Sequence, residues 1–121
     1  MKNNTDSTTQ KGKKAEDYTC VFLQKEGYTI LERNFNTRFG EIDIVAKKDE
    51  VLHFFEVKSG IGFEPIHNIT PSKLQKLSKT IEIYLKERHL SLPYCLNALI
   101  LSKNTQSEAF NVRLIENITL F

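Results

Sequence analysis

The residues best suited to chemistry are an acid inside one apolar run and an acid and an amine that close the next. Asp43 sits within Gly40-Glu41-Ile42-Asp43-Ile44-Val45-Ala46, and Glu56 and Lys58 end Val51-Leu52-His53-Phe54-Phe55-Glu56-Val57-Lys58. An unpaired charge inside a sheet costs several kcal/mol, so an ordinary core strand would not carry such residues. Hydrolysing a phosphodiester needs an activated water, relief of charge at phosphorus and help for the leaving oxygen, and a bound divalent ion contributes to all three. Mg²⁺ takes hard oxygen ligands and keeps several waters, so one or two carboxylates suffice, and Mn²⁺ can replace it. Asp43 and Glu56 are the candidate ligands, with the Val57 carbonyl as a further oxygen. Lys58 beside them would orient the attacking water or stabilise the charged transition state. Glu16 would hold a metal-bound water if its helix packs against the sheet at that point.

A plainer account competes with this one. An acid followed by Glu-x-Lys is common by chance, and a salt-bridged cluster at the sheet's edge, with Lys58 neutralising Glu56, uses the same residues. Glu16 alone reads as a first-turn acid complementing the helix dipole, worth under about 1 kcal/mol.

The elements that must position these groups follow from periodicity. Gly40–Ala46 and Val51–Lys58, with a polar turn at Lys47–Glu50, predict a hairpin whose register sets Asp43 beside Glu56. Two-residue alternation puts Glu56 next to Lys58, and Asp43 with Glu41, while Ile42, Ile44 and Ala46 face the other way. Before the hairpin, Ala15, Tyr18, Phe22 and Leu23 recur at helical spacing from about Lys13 to Glu26, and Gly27 supplies the stop. Tyr28–Phe35 reads as a first strand with a turn near Asn36-Thr37. After it, Ser59–Ile69 reads as a loop, and Thr70-Pro71 opens a helix with a capping hydroxyl and proline at its first position. Leu74, Leu77, Ile81, Tyr84 and Leu85 form its apolar stripe, ending near His89. Tyr94–Leu101 is apolar enough for a strand buried on both faces. Phe110, Val112 and Leu114 alternate as a last strand. A crossover helix between the hairpin and Tyr94–Leu101 makes that strand parallel to its neighbour. The predicted fold class is α/β, a mixed sheet flanked by helices.

The 121 residues suit one domain with one sizeable core. Residues 1–10 are polar, with nothing to bury, and are expected to be a disordered tail ahead of a single domain over 11–121. No apolar run approaches the roughly 20 residues that span a bilayer, and the amino terminus lacks the apolar region of a secretory signal, so a cytoplasmic protein is expected. Cys20 and Cys95 are too far apart in sequence for a paired metal motif and are expected to be buried reduced thiols. His53, His67 and His89 lack zinc spacing. The glycines after Ser59 lack the lysine and helix start of a phosphate-cradling loop. A net charge of +2 does not announce a nucleic-acid binder, but its distribution is uneven. Lys2, Lys11, Lys13 and Lys14 outnumber Asp6, and Lys73, Lys76, Lys79, Lys86 and Arg88 outnumber Glu82 and Glu87 on one predicted helix. Either a solvated face or a phosphate-binding surface accounts for such clusters.

Several motifs together match a family. Gly12-Lys13-Lys14-Ala15-Glu16, Gly27-Tyr28-Thr29-Ile30-Leu31-Glu32-Arg33-Asn34-Phe35, Gly40-Glu41-Ile42-Asp43, Phe55-Glu56-Val57-Lys58 and Thr70-Pro71-Ser72-Lys73 closely resemble the YraN-like family, and the likeness ends near Ile115-Glu116-Asn117. These bacterial proteins are regarded as predicted endonucleases distantly similar to archaeal Holliday-junction resolvases. The resemblance implies a restriction-endonuclease-like three-layer sandwich, with Asp43, Glu56 and Lys58 as the nuclease triad and Glu16 as accessory acid. It implies Mg²⁺ as cofactor and DNA, branched or structured, as partner, with Lys11, Lys13, Lys14, Lys73 and Lys76 as candidate phosphate contacts. A homodimer is compatible with it, since resolvases act as dimers on two-fold-symmetric junctions. Two positions depart from the family pattern: Ser59-Gly60 stands where Thr-Arg is usual, and Cys95-Leu96-Asn97 where Arg-Phe-Asp is usual. A non-catalytic nucleic-acid-binding or protein-interaction module on the same fold, and a structural adaptor, are the alternatives.

Overall fold

The computed structural model describes residues 4–61, 70–106 and 109–118, with side chains from Lys14 onward except that of Ile61. The first helix, α1 (Asn4–Lys25), leads into β1 (Thr29–Thr37), β2 (Gly40–Lys48) and β3 (Val51–Ile61). Then come α2 (Pro71–Glu87), β4 (Tyr94–Lys103) and β5 (Asn111–Ile115), and the sheet order is β1-β2-β3-β4-β5. Only β3 and β4 run parallel, with α2 between them in sequence as a crossover demands. Every other pairing is antiparallel. Among the described residues no helix is long and apolar enough to cross a membrane.

Adjacent residues of β3 serve opposite faces, which is how one sheet builds two cores. Leu52 and Phe54 join Phe35, Val45, Leu96 and Ala98 under Leu74, Leu77, Ile81 and Tyr84 of α2. Phe55 joins Ile44, Ala46, Leu99 and Leu101 under Ala15, Cys20 and Leu23 of α1. Phe54 and Phe55 are both fully enclosed. The architecture is the restriction-endonuclease-like α/β sandwich, a mixed sheet between helical layers. Cys20 is buried and Cys95 half-buried, and both thiols are free.

Local chemistry sets the element ends. Thr70 caps α2 by accepting from the Lys73 N–H at 3.2 Å, with Pro71 at the first helical position. At the end of α1 the Tyr28 N–H donates to the Leu23 carbonyl and the Gly27 N–H to that of Gln24, with Gly27 at φ 96°. That is a Schellman close, which a glycine adopts without strain. The same bonding closes α2, from Leu90 to Leu85 and from His89 to Lys86, but there His89 holds the left-handed position at φ 55°. His89→Gly is therefore expected to stabilise the fold by about 0.5–1 kcal/mol, read as a higher urea midpoint.

Several boundaries differ from the sequence expectation. Helix α1 reaches back to Asn4, through residues expected to form a disordered tail. No proline interrupts that stretch, and adding a residue to an existing helix gains a hydrogen bond without a new nucleus. The β1–β2 turn lies at Arg38-Phe39 rather than Asn36-Thr37, because Thr37 still pairs with Gly40. The β2–β3 turn narrows to Asp49 and Glu50, at φ 53° and 64°, the left-handed pair that fits a two-residue hairpin. Ser59–Ile61, expected as loop, extend β3 because β4 offers them partners at Leu101, Ser102 and Lys103. The rest of that expected loop, including His67, lies outside the described residues.

One difference bears on the site. Ile42 packs in the α2-side core, whereas Ile44 and Ala46 pack in the α1-side core, so the three do not share a face. Alternation slips at Asp43. The β2–β3 ladder stops one residue later, at Ile44 opposite Phe55, and on β1 the residue between the Arg33–Ile44 and Phe35–Ile42 pairs is Asn34, at φ 56°. The sheet forks at the level of the acid.

Candidate active site

Asp43 stands in that fork. Its Oδ2 accepts the Val57 N–H at 2.7 Å, taking the place of a backbone carbonyl where β2 and β3 part. Continuing the pairing by one rung from Ile44 and Phe55 brings Asp43 level with Glu56, the register the sequence predicts. Lys58 Nζ lies 3.2 Å from Glu56 Oε2, as two-residue alternation requires. The Glu56 and Lys58 side chains are 20% and 32% exposed, so an ion or a phosphate can reach them.

The electrostatics single out Asp43. Burial, joined by the fields of Glu56, Glu41 and Glu16, pushes its carboxyl up to about 7, against the Val57 hydrogen bond that pulls it down. Glu41 is raised as well, by burial and then by Glu16 and Glu56. Acids from α1, β2 and β3 thus converge on one fork. Two cations are in range: Lys58 on Glu56, and Arg33, which meets Glu16 at 3.5 Å and Asp17 at 2.8 Å. Arg33 ties α1 to β1 and so holds Glu16 at the fork. It lies within the Glu32-Arg33-Asn34-Phe35 motif, but strand periodicity gave it no role. Only its contacts reveal one.

The other candidates fall elsewhere. At Val57 it is the N–H that meets Asp43. Lys73 and Lys76 are exposed on the first turns of α2 and take no part in the acid cluster. Lys14 is exposed on α1, and the side chains of Lys11 and Lys13 lie outside the described ones. Asn97, one of the departures from the resembled pattern, is fully buried against His53 and Asn117. It sits in β4 opposite Phe55, on the α1-side face of the sheet. Alternation puts Glu56 and Lys58 on the other face. The departure at Asn97 is therefore removed from the triad.

With this geometry in hand, comparison with known proteins assigns the chain. The family profile described as "Uncharacterised protein family UPF0102" matches residues 15–115. The chain belongs to that family. A UPF0102 protein of Helicobacter hepaticus is 57% identical over 114 residues, covering 94% of this chain and 98% of the relative. One from Wolinella succinogenes is 53% identical over 110 residues, covering 91% and 96%. A third, from Helicobacter pylori, is 52% identical over 110 residues, covering 91% of each. The YraN-like resemblance carried by the motifs is this UPF0102 membership. Glu16, Arg33, Asp43, Glu56 and Lys58 all fall inside the matched span, whereas Lys11, Lys13 and Lys14 precede it.

Proposed function

We propose that this UPF0102 protein is a divalent-metal-dependent endonuclease that hydrolyses DNA phosphodiester bonds at the Asp43 fork. The observation that carries the reading is the raised Asp43 carboxyl in the field of three further acids, of which Glu56 is met by Lys58 and Glu16 by Arg33. A fold keeps such a cluster at a cost in stability, and perturbed carboxyls in accessible clefts mark functional sites. The donor set suits a hard cation. Mg²⁺ needs one or two carboxylates and retains water in its remaining positions, so Asp43 and Glu56 suffice as protein ligands. Among the described residues no three His, Cys, Asp or Glu side chains group closely enough to hold an ion. The proposed site therefore rests on two carboxylates, with its remaining positions left to water and phosphate. A bound Mg²⁺ or Mn²⁺ would supply Lewis-acid relief of phosphate charge.

The chain's own residues supply the rest. The Val57 N–H fixes the Asp43 carboxylate, so its orientation is set before substrate arrives. Lys58 is held by Glu56 at the mouth of the fork, where its ammonium can orient a water or meet the charge that builds on the phosphate. Glu16, steadied by Arg33, accepts a proton or a hydrogen bond from a water at the site.

The test is cleavage of linear and branched DNA with Mg²⁺ or Mn²⁺ by wild type, Asp43→Ala and Lys58→Ala. Loss of activity in both variants supports the reading. Equal residual cleavage in all three marks a contaminant and removes it. A non-catalytic binding module would instead bind DNA in a salt-dependent way without cleaving under any metal.

A further inference from the structure

The β1–β2 turn carries an arrangement that the fork does not use. Two cations lie against the Phe39 ring: the Arg38 guanidinium carbon is 4.9 Å and Lys79 Nζ is 5.1 Å from its centroid. Lys79 comes from α2, which is tied to the turn where Thr80 Oγ1 meets Thr37 Oγ1 at 3.2 Å. Lys76 and Lys73 extend the same helix face one and two turns back, and both are exposed. Among the described residues none of these four cations forms an ion pair. By contrast Arg33, Lys47, Lys58 and Arg88 are each engaged with an acid. Glu41, which pairs opposite Asn36 beside the turn, takes part in the fork's field instead.

Four unpaired cations at one edge are tolerable in water. Two unit charges about 10 Å apart repel by only about 0.4 kcal/mol at the dielectric of water. The aromatic face offsets such a cost, at about 0.5–1 kcal/mol for an exposed cation–π contact. The ring keeps two cationic heads together with no anion between them. The position is also informative. Asp43 is three residues beyond Gly40, the first residue of β2, so the turn lies roughly 10 Å from the fork at a strand's rise of about 3.3 Å per residue. A nucleic-acid strand carries a phosphate every 3.4 Å or so along its axis, so a strand with one phosphate at the fork sets a phosphate about three nucleotides away over this ring.

We infer that Arg38, Phe39 and Lys79 form a phosphate clamp that holds the backbone of a nucleic-acid strand a few nucleotides from the fork, with Lys76 and Lys73 continuing its track. The clamp rests on the proposed reading of the fork for its role, but it is testable without cleavage. A fluorescent 30-base-pair DNA duplex is titrated in EDTA by anisotropy across 50–200 mM NaCl. Each lost phosphate contact lowers the log–log salt slope by about 0.9, so Arg38→Gln/Lys79→Gln is expected to reduce it by nearly 2 and to weaken binding at 50 mM at least tenfold. Phe39→Leu is expected to weaken binding severalfold with little change in slope, since it removes the organiser and no charge. Lys47→Gln, at the far end of the sheet beside Glu50, should match wild type. The clamp is overturned if the double variant keeps the wild-type slope and affinity, if Lys47→Gln loses as much, or if wild type does not bind at 50 mM. The two readings separate cleanly. Wild-type cleavage with Mn²⁺ alongside an unchanged double variant sinks the clamp alone, and a reduced slope with no cleavage under any metal sinks the nuclease alone.

Discussion

Asp43→Asn is expected to raise the stability of this protein at pH 8 while abolishing metal-dependent cleavage. The wild-type carboxyl titrates near 7 in the fold against 3.8 for an unperturbed aspartate. Between those values the folded state holds a proton that the unfolded chain has released, so stability falls as pH rises through this window. Above pH 7 the penalty is fully present, and below about 4 both states are protonated and it vanishes. At 1.36 kcal/mol per unit a rise of about three units is a penalty of roughly 4 kcal/mol, which for a domain of this size moves the melting temperature by upwards of about 8 °C. Asparagine removes the charge but keeps an oxygen for the Val57 N–H, so the fork need not rearrange. The gain should therefore be large at pH 8, smaller at pH 6 and gone near pH 4. A divalent cation relieves the same strain in another way. Millimolar Mg²⁺ or Mn²⁺ should raise the wild-type melting temperature at pH 8 and leave Asp43→Asn unmoved, since the ion stabilises only a state that binds it. Cleavage should fall by at least two orders of magnitude in the variant. A variant less stable than wild type at every pH would show that the acid cluster is not strained.

How much of this the sequence carried depended on whether a property was periodic. The parallel strand was legible over Tyr94–Leu101 because its apolar run has no polar face, though it runs on to Lys103, and the Thr70-Pro71 start of α2 was legible because capping is local chemistry. The register that runs to Ile44 opposite Phe55, one rung short of Asp43 and Glu56, and the contact of Lys58 with Glu56 followed from strand geometry alone. The slip at Asp43 was not legible. It depends on Asn34 adopting a left-handed conformation across the ladder and on a carboxylate replacing a carbonyl, and neither alters the apolar pattern. Arg33 was hidden for a related reason. Its partners lie on a helix well upstream, and a strand residue with an outward charge looks solvated until that helix is placed. Phe39 gave no signal either, since one aromatic residue in a turn has no period.

Asn97→Ala is expected to cost the fold about 2–4 kcal/mol in urea denaturation while leaving cleavage per folded molecule unchanged. Asn97 is fully buried and its amide is spoken for on both sides. The Asn117 N–H donates to Oδ1 at 2.9 Å, which turns Nδ2 toward His53 Nδ1 at 3.0 Å. An amide nitrogen only donates, so Nδ1 must accept, and the imidazole proton sits on Nε2. The Cys95 thiol, 3.1 Å from the same nitrogen, is a second donor to it. Burial, with the Lys48 charge, lowers the His53 pKa, in keeping with a neutral ring. Truncation removes the acceptor of the Asn117 N–H and the donor to His53, and opens a cavity between β3 and β4. Asn97→Asp separates geometry from charge. An ionised carboxylate there still accepts from Asn117 but needs a proton from His53, so it raises the histidine's pKa. In wild type the lowered His53 pKa subtracts stability as pH falls below about 6.5, because only the unfolded ring takes up a proton. In the variant the raised pKa contributes stability that is full below that value and lost as pH rises through the folded pKa. The stability of Asn97→Asp relative to wild type should therefore climb as pH drops from 8 to 6. A flat difference across that range would mean that Asn97 does not set the protonation of His53. A loss of cleavage in Asn97→Ala would place this buried knot in the service of the fork, across the sheet from Glu56.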